Sequence, residues 1–219
     1  MIESSYKALY KGGEAELTEK KSRFIATTFP VTSEEEALAF LESTKKKYWN
    51  ATHNCSAYVI GRNHELKRCS DDGEPSKTAG RPMLDVLLGE DIHNIAVVVT
   101  RYFGGTLLGT GGLVRAYSEA VKAGLSKSIL IEKHLGIRLK ISTDYNGIGK
   151  IQYLTSQSNI QILNSEYTDI VTTELLIPIE AEQKLRKKIT EATNGKATFT
   201  CLGETWFGQV KGQTLLFET

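Results

Sequence analysis

The sequence lacks any hydrophobic run long enough to cross a membrane. Its longest wholly apolar runs are five residues, at 95–99 and 175–179, whereas a spanning helix needs about 20 apolar residues. The polar N-terminal stretch has no hydrophobic segment ahead of a small-residue cleavage site, so the sequence predicts no secretory signal. We expect a cytoplasmic protein that has no membrane partner.

Cysteine is scarce as well. Cys55, Cys69 and Cys201 are too few and too scattered to form a disulfide framework, and the sequence has no CxxC pair of metal ligands. Such usage is typical of a reducing compartment such as the cytosol. No spacing of acidic residues matches an EF-hand calcium loop. The sequence predicts neither a bound metal nor a cofactor.

Charge of one sign is not in excess. The 219 residues include 27 Lys and Arg against 26 Asp and Glu, which gives a net charge of +1. This balance excludes binding of nucleic acid or anionic lipid by bulk electrostatics, so any such binding depends on a local patch. With 40% hydrophobic and 24% charged residues, the composition is that of a globular protein of one or two domains.

The first part of the chain, residues 1–134, is predicted to form an α+β domain. Ser33 and Glu36 have the spacing of a capping box, which predicts that a helix begins there. Residues 95–99 form a continuous apolar run, typical of a strand that is buried on both faces. The hydrophobic pattern predicts, in order, one or two strands within 15–30, a helix over 33–49, a strand over 51–60, a charged loop over 61–78, a helix over 79–90, a strand over 93–102 and a helix over 113–127.

Residues 135–219 are predicted to form a second α+β domain with the order βαββαβ, the ferredoxin-like split βαβ arrangement. Asp144 is placed to cap the first helix and Gly195 to end the second. The segment 197–207 is predicted to be the last strand. The candidate functional residues all lie in the first domain.

An acidic loop at residues 70–75 is the first candidate site. Asp71, Asp72 and Glu74 repel one another unless a cation, basic side chains or backbone N–H groups neutralise them. Three interpretations stay open: a metal site, carboxylates that hold an arginine, or a solvated turn of the kind that Asp, Gly and Pro favour.

A glycine-rich loop between a predicted strand and a predicted helix is the second candidate. Such a loop binds anions through free backbone N–H groups and the helix dipole, although glycines also serve tight turns and close packing. The Walker and dinucleotide motifs are both absent. The candidate phosphate-binding residues are Arg101, Gly104, Gly105, Gly111, Gly112 and Arg115. The aromatic side chains available for packing or for stacking on bases are Tyr102, Phe103 and Tyr117.

The third candidate is the pair His53 and Cys55, which share one face of the predicted strand. A Cys–His pair or part of a metal site needs a further partner, and the sequence identifies none. A buried cysteine beside a hydrogen-bonded histidine is therefore favoured, and no catalytic residue is assigned. His64, His93 and His134 are interpreted in the same structural way.

Together, these motifs resemble those of the Impact/YigZ family, and the resemblance extends over the whole chain. Lys77 is a departure, because the family usually has glycine there, and it adds a positive charge beside the acidic loop. The matching segments are 51–58 (ATHNCSAY), 70–75 (SDDGEP), 78–80 (TAG) with Pro82, 101–105 (RYFGG), 108–113 (LGTGGL) and 115–117 (RAY).

The resemblance implies a first domain of the ribosomal protein S5 domain 2-like fold, similar to domain IV of elongation factor G. The second domain is similar to the C-terminal domain of that factor, so both halves look like parts of a protein that lies against ribosomal RNA. Eukaryotic Impact proteins regulate translation through the amino-acid-starvation kinase pathway. They do so partly with an extra N-terminal domain that is not in this sequence.

Two functions of the first domain stay open, beside a third, which is a protein-interaction adaptor that uses the sheet of the second domain. The first is a non-enzymatic protein that associates with RNA, the ribosome or protein partners of the translation machinery. In it Arg101 and Arg115 contact phosphate, the acidic loop orients them and His53 lines the same surface. The second is an enzyme or binding protein for a phosphorylated small molecule, with a divalent ion on the acidic loop and His53 as the acid–base group. Both require that the acidic loop, the glycine loop and His53 converge.

Overall fold

The computed structural model describes residues 4–217, an α+β chain that forms two compact units. The first unit comprises Tyr6–Glu132, and the second comprises the chain from Lys133 onward together with Ser4 and Ser5. The elements up to the division are β1 (Ser5–Lys11), β2 (Glu14–Glu19), β3 (Ser22–Pro30), α1 (Glu34–Lys47), β4 (His53–Ile60), β5 (Leu66–Ser70), α2 (Gly80–Gly89), β6 (Ile92–His93), β7 (Ile95–Tyr102) and α3 (Thr110–Ser126). The elements that follow are β8 (Ile129–Thr143), within which the division falls, α4 (Tyr145–Gln157), β9 (Gln161–Tyr167), β10 (Val171–Pro178), α5 (Glu182–Ala192), β11 (Thr198–Val210) and β12 (Gln213–Phe217).

The first unit is built on an antiparallel sheet with the strand order β2-β3-β7-β4-β5. Its central strand, β7, is buried on both faces, as the continuous apolar run predicts. Helix α1 packs its Ala37 and Phe40 against one face of this sheet. Helices α2 and α3 cover the other face, where their apolar side chains form the larger core.

Alternation along the strands decides which side chains reach the functional site. Val97 and Val99 of β7 point into the core beneath α2 and α3, together with Cys55 of β4. Arg101 lies two residues beyond Val99, on the same face, and its register partner in β4 is His53. A charged residue is thus placed at the end of an otherwise apolar face of the sheet.

The boundaries of the first unit differ from the prediction in three places. Strand β1 lies in a segment for which no element is predicted, and β5 lies within the predicted charged loop. The side chains of β5 are mostly exposed and polar, so they lack the alternation that reveals a strand. Helix α3 begins at Thr110 rather than Leu113, because two glycines in its first turn hide its helical pattern.

The second unit has the predicted order βαββαβ, followed by one more strand. Its strands are antiparallel and lie in the order β9-β10-β8-β11-β12. The Asp144 carboxylate accepts the backbone N–H of Gly147 at 2.8 Å and so caps α4 as predicted. The buried side chains of α4 and α5 pack on the central strands. The largest fully buried side chains of this core, from the helices and the strands together, are Leu139, Ile141, Ile151, Leu175, Ile177 and Ile189.

The prediction that 197–207 is the last strand is wrong. Strand β11 runs on to Val210 and turns back through Lys211 and Gly212 into β12. Both turn residues have positive φ, 51° and 79°, which is the backbone that a two-residue hairpin turn requires. Among residues 4–217 no helix combines the length and the hydropathy needed to span a bilayer.

Candidate functional site

The three sequence motifs meet at one cleft of the first unit. Its lining comes from the acidic loop, the glycine loop, the start of α3 and the adjoining ends of β4 and β7. Its volume is about 440 Å³. The residues that line it are Thr52, His53, Gly73, Glu74, Pro75, Arg101, Phe103, Leu107, Leu108, Gly109, Thr110 and Leu113.

A buried ion pair forms the floor of the cleft. Arg101 Nη1 donates to Glu74 Oε1 at 2.6 Å, and the two side chains are only 6% and 3% exposed. Tyr117 donates its hydroxyl to the same carboxylate oxygen at 2.8 Å, and Arg101 Nη2 donates to Ser22 Oγ at 3.3 Å. Glu74 therefore holds Arg101 in place, which is the carboxylate–arginine interpretation of the acidic loop. A pair this buried depends on both partners, because removal of one leaves an uncompensated charge.

Arg101 is paired but not saturated. Its guanidinium lies over the rings of Phe24 and Phe103, at 5.3 and 5.6 Å from their centroids. Its Nε is buried and has no hydrogen-bond partner among the described residues. A buried donor without a partner is unusual in a native protein, and this one belongs to a side chain that lines the cleft.

His53 is oriented by the acidic loop. Its Nδ1 lies 2.8 Å from the main-chain oxygen of Asp72, and because a carbonyl oxygen only accepts, Nδ1 carries the proton. The other ring nitrogen, Nε2, lies 3.9 Å from Glu74 Oε2, which is too far for a direct hydrogen bond. In the neutral ring Nε2 is therefore an acceptor on the wall of the cleft.

Cys55 lies beneath the ion pair as a structural residue. Its thiol is within 2.9 Å of the main-chain oxygen of Asp71 and 3.3 Å of the Tyr117 hydroxyl. Burial raises the pKa of the Cys55 thiol to about 12, and burial also raises the pKa of the Tyr117 hydroxyl. Both groups stay protonated at neutral pH, so neither is an activated nucleophile.

The other two carboxylates of the acidic loop are used by the fold. Asp71 accepts backbone N–H groups of Lys77, Ala79 and Gly80 at 2.8, 3.0 and 2.8 Å, which fixes the start of α2. Asp72 accepts the N–H of Asn54 at 2.7 Å and pairs with Lys45 at 2.7 Å. Backbone N–H groups and a lysine thus neutralise these charges, and neither Asp71 nor Asp72 orients Arg101.

The glycines of the glycine loop serve two purposes, tight turns and close packing. Gly105 and Gly109 have φ of 82° and 75°, which a residue with a side chain rarely adopts. At Gly104 a Cβ would lie 2.1 Å from the backbone of Lys21. Gly111 and Gly112 lie in the first turn of α3, whose N-cap, Gly109, offers no side chain to the free N–H groups. Gly109 and Thr110 line the cleft, so the start of α3 faces it, whereas Gly112 lines a separate depression and Gly104, Gly105 and Gly111 line neither.

The structure does not bring every candidate to this cleft. Arg115 lines a separate depression with Lys20 and Glu119, so it does not share an anion site with Arg101. Tyr102 donates its hydroxyl to Asn50 at 3.0 Å and also lies outside the cleft lining. Tyr117 is wholly buried and supports Glu74 from below.

The apolar rim of the cleft consists of Phe103, which the sequence offers for packing or stacking, and Leu107, which sequence reasoning missed. Phe103 and Leu107 are 46% and 82% exposed, although both are large and apolar. With the polar floor and the open start of α3, this rim suits a ligand that has an anionic group beside a planar or apolar part. Sequence reasoning also missed the burial of Arg101. Its alternation with Val97 and Val99 could have shown it, because this spacing places Arg101 on the core side of β7, where a charge needs a buried partner.

Comparisons with known proteins give a consistent result. The family model of the Impact N-terminal domain matches residues 20–125, and a domain of unknown function, DUF1949, matches residues 141–196. IMPACT family member YvyE of Bacillus subtilis is 42% identical over 193 residues, which cover 88% of this chain and 89% of that protein. IMPACT family member YigZ of Escherichia coli is 35% identical, over 84% of this chain and 92% of that protein.

The similarity extends to eukaryotic proteins and to a solved structure. Protein IMPACT-A of Xenopus tropicalis is 39% identical over 98 residues, which cover 42% of this chain and 30% of that protein. A crystal structure described as that of a hypothetical protein is 32% identical and has a TM-score of 0.59. That match covers 92% of this chain and 99% of the solved one.

Proposed function

The chain belongs to the Impact family, and on that premise we propose that it is a non-enzymatic regulator of translation that associates with RNA or the ribosome. The observation that carries the proposal is the buried Arg101, with its unpartnered Nε, in a cleft at the open start of α3. A guanidinium beside a helix N-terminus is a general solution for binding phosphate.

We also propose the finer fold assignments that this function implies. The antiparallel order β11-β8-β10-β9, reached through the sequence order βαββαβ, agrees with the ferredoxin-like fold for the second unit. For the first unit, the antiparallel sheet with α2 and α3 on one face agrees with the S5 domain 2-like fold. The resemblance implies that both folds are similar to domains of elongation factor G, and this supports contact with ribosomal RNA as an argument by fold analogy.

Within the cleft we assign each group a role. The first N–H groups of α3 and the Arg101 guanidinium receive a phosphate, and the exposed ring of Phe103 stacks on an adjacent base. Glu74 keeps Arg101 extended, and its carboxylate offsets the positive charge of the cleft. The cleft therefore attracts phosphate only at close range. With a net charge of +1, affinity for free RNA is low and falls as salt is added.

Co-sedimentation with ribosomes at low salt tests this proposal. Thr110→Glu adds a carboxylate to the exposed first turn of α3, where the helix dipole stabilises it and where it repels phosphate. Asn146→Glu, in the exposed first turn of α4, is the matched control with the same added charge. We expect wild type and Asn146→Glu to pellet with ribosomes and Thr110→Glu to stay in the supernatant.

A second pair of variants tests the stacking role. Phe103→Ala removes the ring at the rim, and Phe29→Ala removes an equally exposed ring (46% in each case) on strand β3, outside the cleft lining. Loss of a stacked base weakens binding by about 1–3 kcal/mol, so Phe103→Ala alone should reduce the pelleted fraction. If wild type never pellets, or if all four variants behave alike, this function is wrong for the chain.

The second candidate function is supported by the convergence of the acidic and glycine loops on one cleft of about 440 Å³. This volume suits a phosphorylated small molecule, for which His53 would be the acid–base group. A divalent ion on the acidic loop is not supported, because Asp71 and Asp72 already bind backbone N–H groups and Lys45. A thermal-shift screen of nucleotides and sugar phosphates separates the two functions. Stabilisation of wild type by such a ligand, abolished in Thr110→Glu, would favour the small-molecule function.

A further inference from the structure

A second cluster of polar side chains lies at the end of β4 opposite to His53. It consists of His64 in the loop after β4, Asp91 in the turn after α2, and His93 of β6. Asp91 Oδ1 lies 3.6 Å from His64 Nε2 and 3.4 Å from His93 Nε2, and the three ligand atoms lie within 4.8 Å of one another. The cluster shares no residue with the cleft and does not depend on association with RNA.

The protonation of His93 directs a lone pair into this cluster. Its Nδ1 lies 3.1 Å from the main-chain oxygen of Gly61. Because a carbonyl oxygen has no proton to donate, Nδ1 is the protonated nitrogen, and the neutral ring presents an unprotonated Nε2 to Asp91. A lone pair thus faces a carboxylate oxygen at 3.4 Å, an arrangement that is repulsive unless a cation lies between them.

His64 leaves a second polar atom unsatisfied at the same point. Its Nε2 is buried and has no hydrogen-bond partner among the described residues, and 3.6 Å to Asp91 Oδ1 is too long for a hydrogen bond. His64 and Asp91 both have positive φ, 54° and 52°. Few residues other than glycine adopt this conformation, and those that do are concentrated at functional sites.

We propose that His64, Asp91 and His93 bind a divalent transition-metal ion of the zinc type. Two imidazole nitrogens and one carboxylate oxygen are the ligand set of open zinc sites, in which ligand bonds of about 2.0–2.2 Å place neighbouring ligand atoms roughly 3.3 Å apart. The observed separations of 3.4 and 3.6 Å approach this spacing. Calcium and magnesium prefer sites made only of oxygen ligands.

Binding requires one movement. The rings of His64 and His93 are stacked, with centroids 4.0 Å apart and planes 23° apart, whereas an ion lies in the plane of each imidazole that binds it. The two ring planes therefore rotate away from each other when the ion binds. The ring of His93 is fixed by Gly61 and by the edge of Tyr6, so His64 on its loop makes the movement. Asp91, whose side chain is 75% exposed, leaves the remaining coordination position open to water.

Titration of the metal-free full-length chain with Co²⁺, followed by visible absorption, tests the site, and Zn²⁺ serves as the competitor. We expect one ion per chain, absorption bands of a tetrahedral Co²⁺ site, and their loss when Zn²⁺ is added. His64→Asn and Asp91→Asn should each weaken binding by about 100-fold or more, since the loss of a residue that only hydrogen-bonds to a metal ligand already costs 10–100-fold. Asparagine tolerates positive φ, so both variants should keep the fold, which circular dichroism checks.

His134→Gln, in the second unit, is the matched control because it removes an imidazole elsewhere. It should bind as wild type does, and Zn²⁺ should raise the melting temperature of wild type and of His134→Gln but not of His64→Asn. The proposal is overturned if wild type binds no stoichiometric ion, if His64→Asn and Asp91→Asn bind as tightly as wild type, or if His134→Gln weakens binding equally. Each outcome leaves the ribosome result untouched.

Discussion

The two units each contain an arginine–glutamate pair of the same length in very different surroundings. In the first unit Arg101 and Glu74 meet at 2.6 Å with side chains that are 6% and 3% exposed. In the second unit Arg138 and Glu174 also meet at 2.6 Å, across neighbouring strands, but their side chains are 43% and 20% exposed. Distance alone therefore does not distinguish the pairs, and burial decides what each contributes.

The difference extends to the groups around each pair. Arg101 and Glu74 are joined to Tyr117, Ser22 and, through Tyr117, to Cys55, all of them on the core side of the sheet. Such a network is costly unless every member is satisfied, and it lines the one cleft where the sequence motifs meet. In the second unit, which holds the exposed pair, the buried polar side chains among residues 133–217 are all threonines, and none is charged. The first unit thus carries the polar chemistry of the chain.

Breaking each pair in the same way gives the largest contrast. Glu74→Gln leaves a buried guanidinium without its counter-charge, and we expect the free energy of unfolding of the first unit to fall by about 3–5 kcal/mol. Glu174→Gln removes a largely solvated pair and should cost at most about 1 kcal/mol. Hydrogen exchange measured by mass spectrometry resolves β7 from β8 and reports both units in one experiment. Equal losses in the two variants would show that burial does not separate the pairs.

Removal of a single hydroxyl sharpens the comparison. Tyr117→Phe deletes the donor to Glu74 and leaves a buried carboxylate oxygen short of one hydrogen bond, which should cost about 1–3 kcal/mol. Tyr145→Phe deletes an exposed hydroxyl that donates to the main-chain oxygen of Thr168, where water replaces it, and should cost less than about 0.5 kcal/mol. Urea denaturation of the two variants measures both effects. A smaller loss for Tyr117→Phe than for Tyr145→Phe contradicts the network.

Sequence reasoning succeeds where a regular period or a local cap determines the structure. The alternation around Cys55, the apolar run of β7 and the cap at Asp144 each depend on a few neighbouring residues, so a sequence pattern predicts them. The convergence of the acidic loop, the glycine loop and His53 was required by the functional hypotheses, and the structure brings parts of all three to one cleft.

What sequence reasoning could not supply is the pairing of distant residues. Arg101 was predicted to share phosphate binding with Arg115, but one lies on the core side of a strand and the other at a separate depression. Only the register of β7 and the path of the acidic loop bring Glu74 to Arg101, across 27 positions of sequence. Strand β5 was not predicted for a similar reason. Its pairing with β4 depends on backbone groups, and its side chains have no apolar pattern.

The smallest expected effect concerns Lys77, at a position where the resemblance implies glycine. Lys77 has a φ of 64°, the left-handed conformation that glycine adopts without strain, and its backbone N–H binds Asp71 at the start of α2. Lys77→Gly relieves this strain and adds disorder to the unfolded chain, and since the first effect is larger, the first unit should gain roughly 0.5–1 kcal/mol. Lys211→Gly, at a φ of 51° in the hairpin of the second unit, is the matched change there and should give a similar gain. Thermal unfolding of both variants measures whether the backbone strain at these two positions is equal, unlike the burial of charge in the two units. A loss of stability in Lys77→Gly would mean that the lysine side chain stabilises the fold by more than its backbone conformation destabilises it.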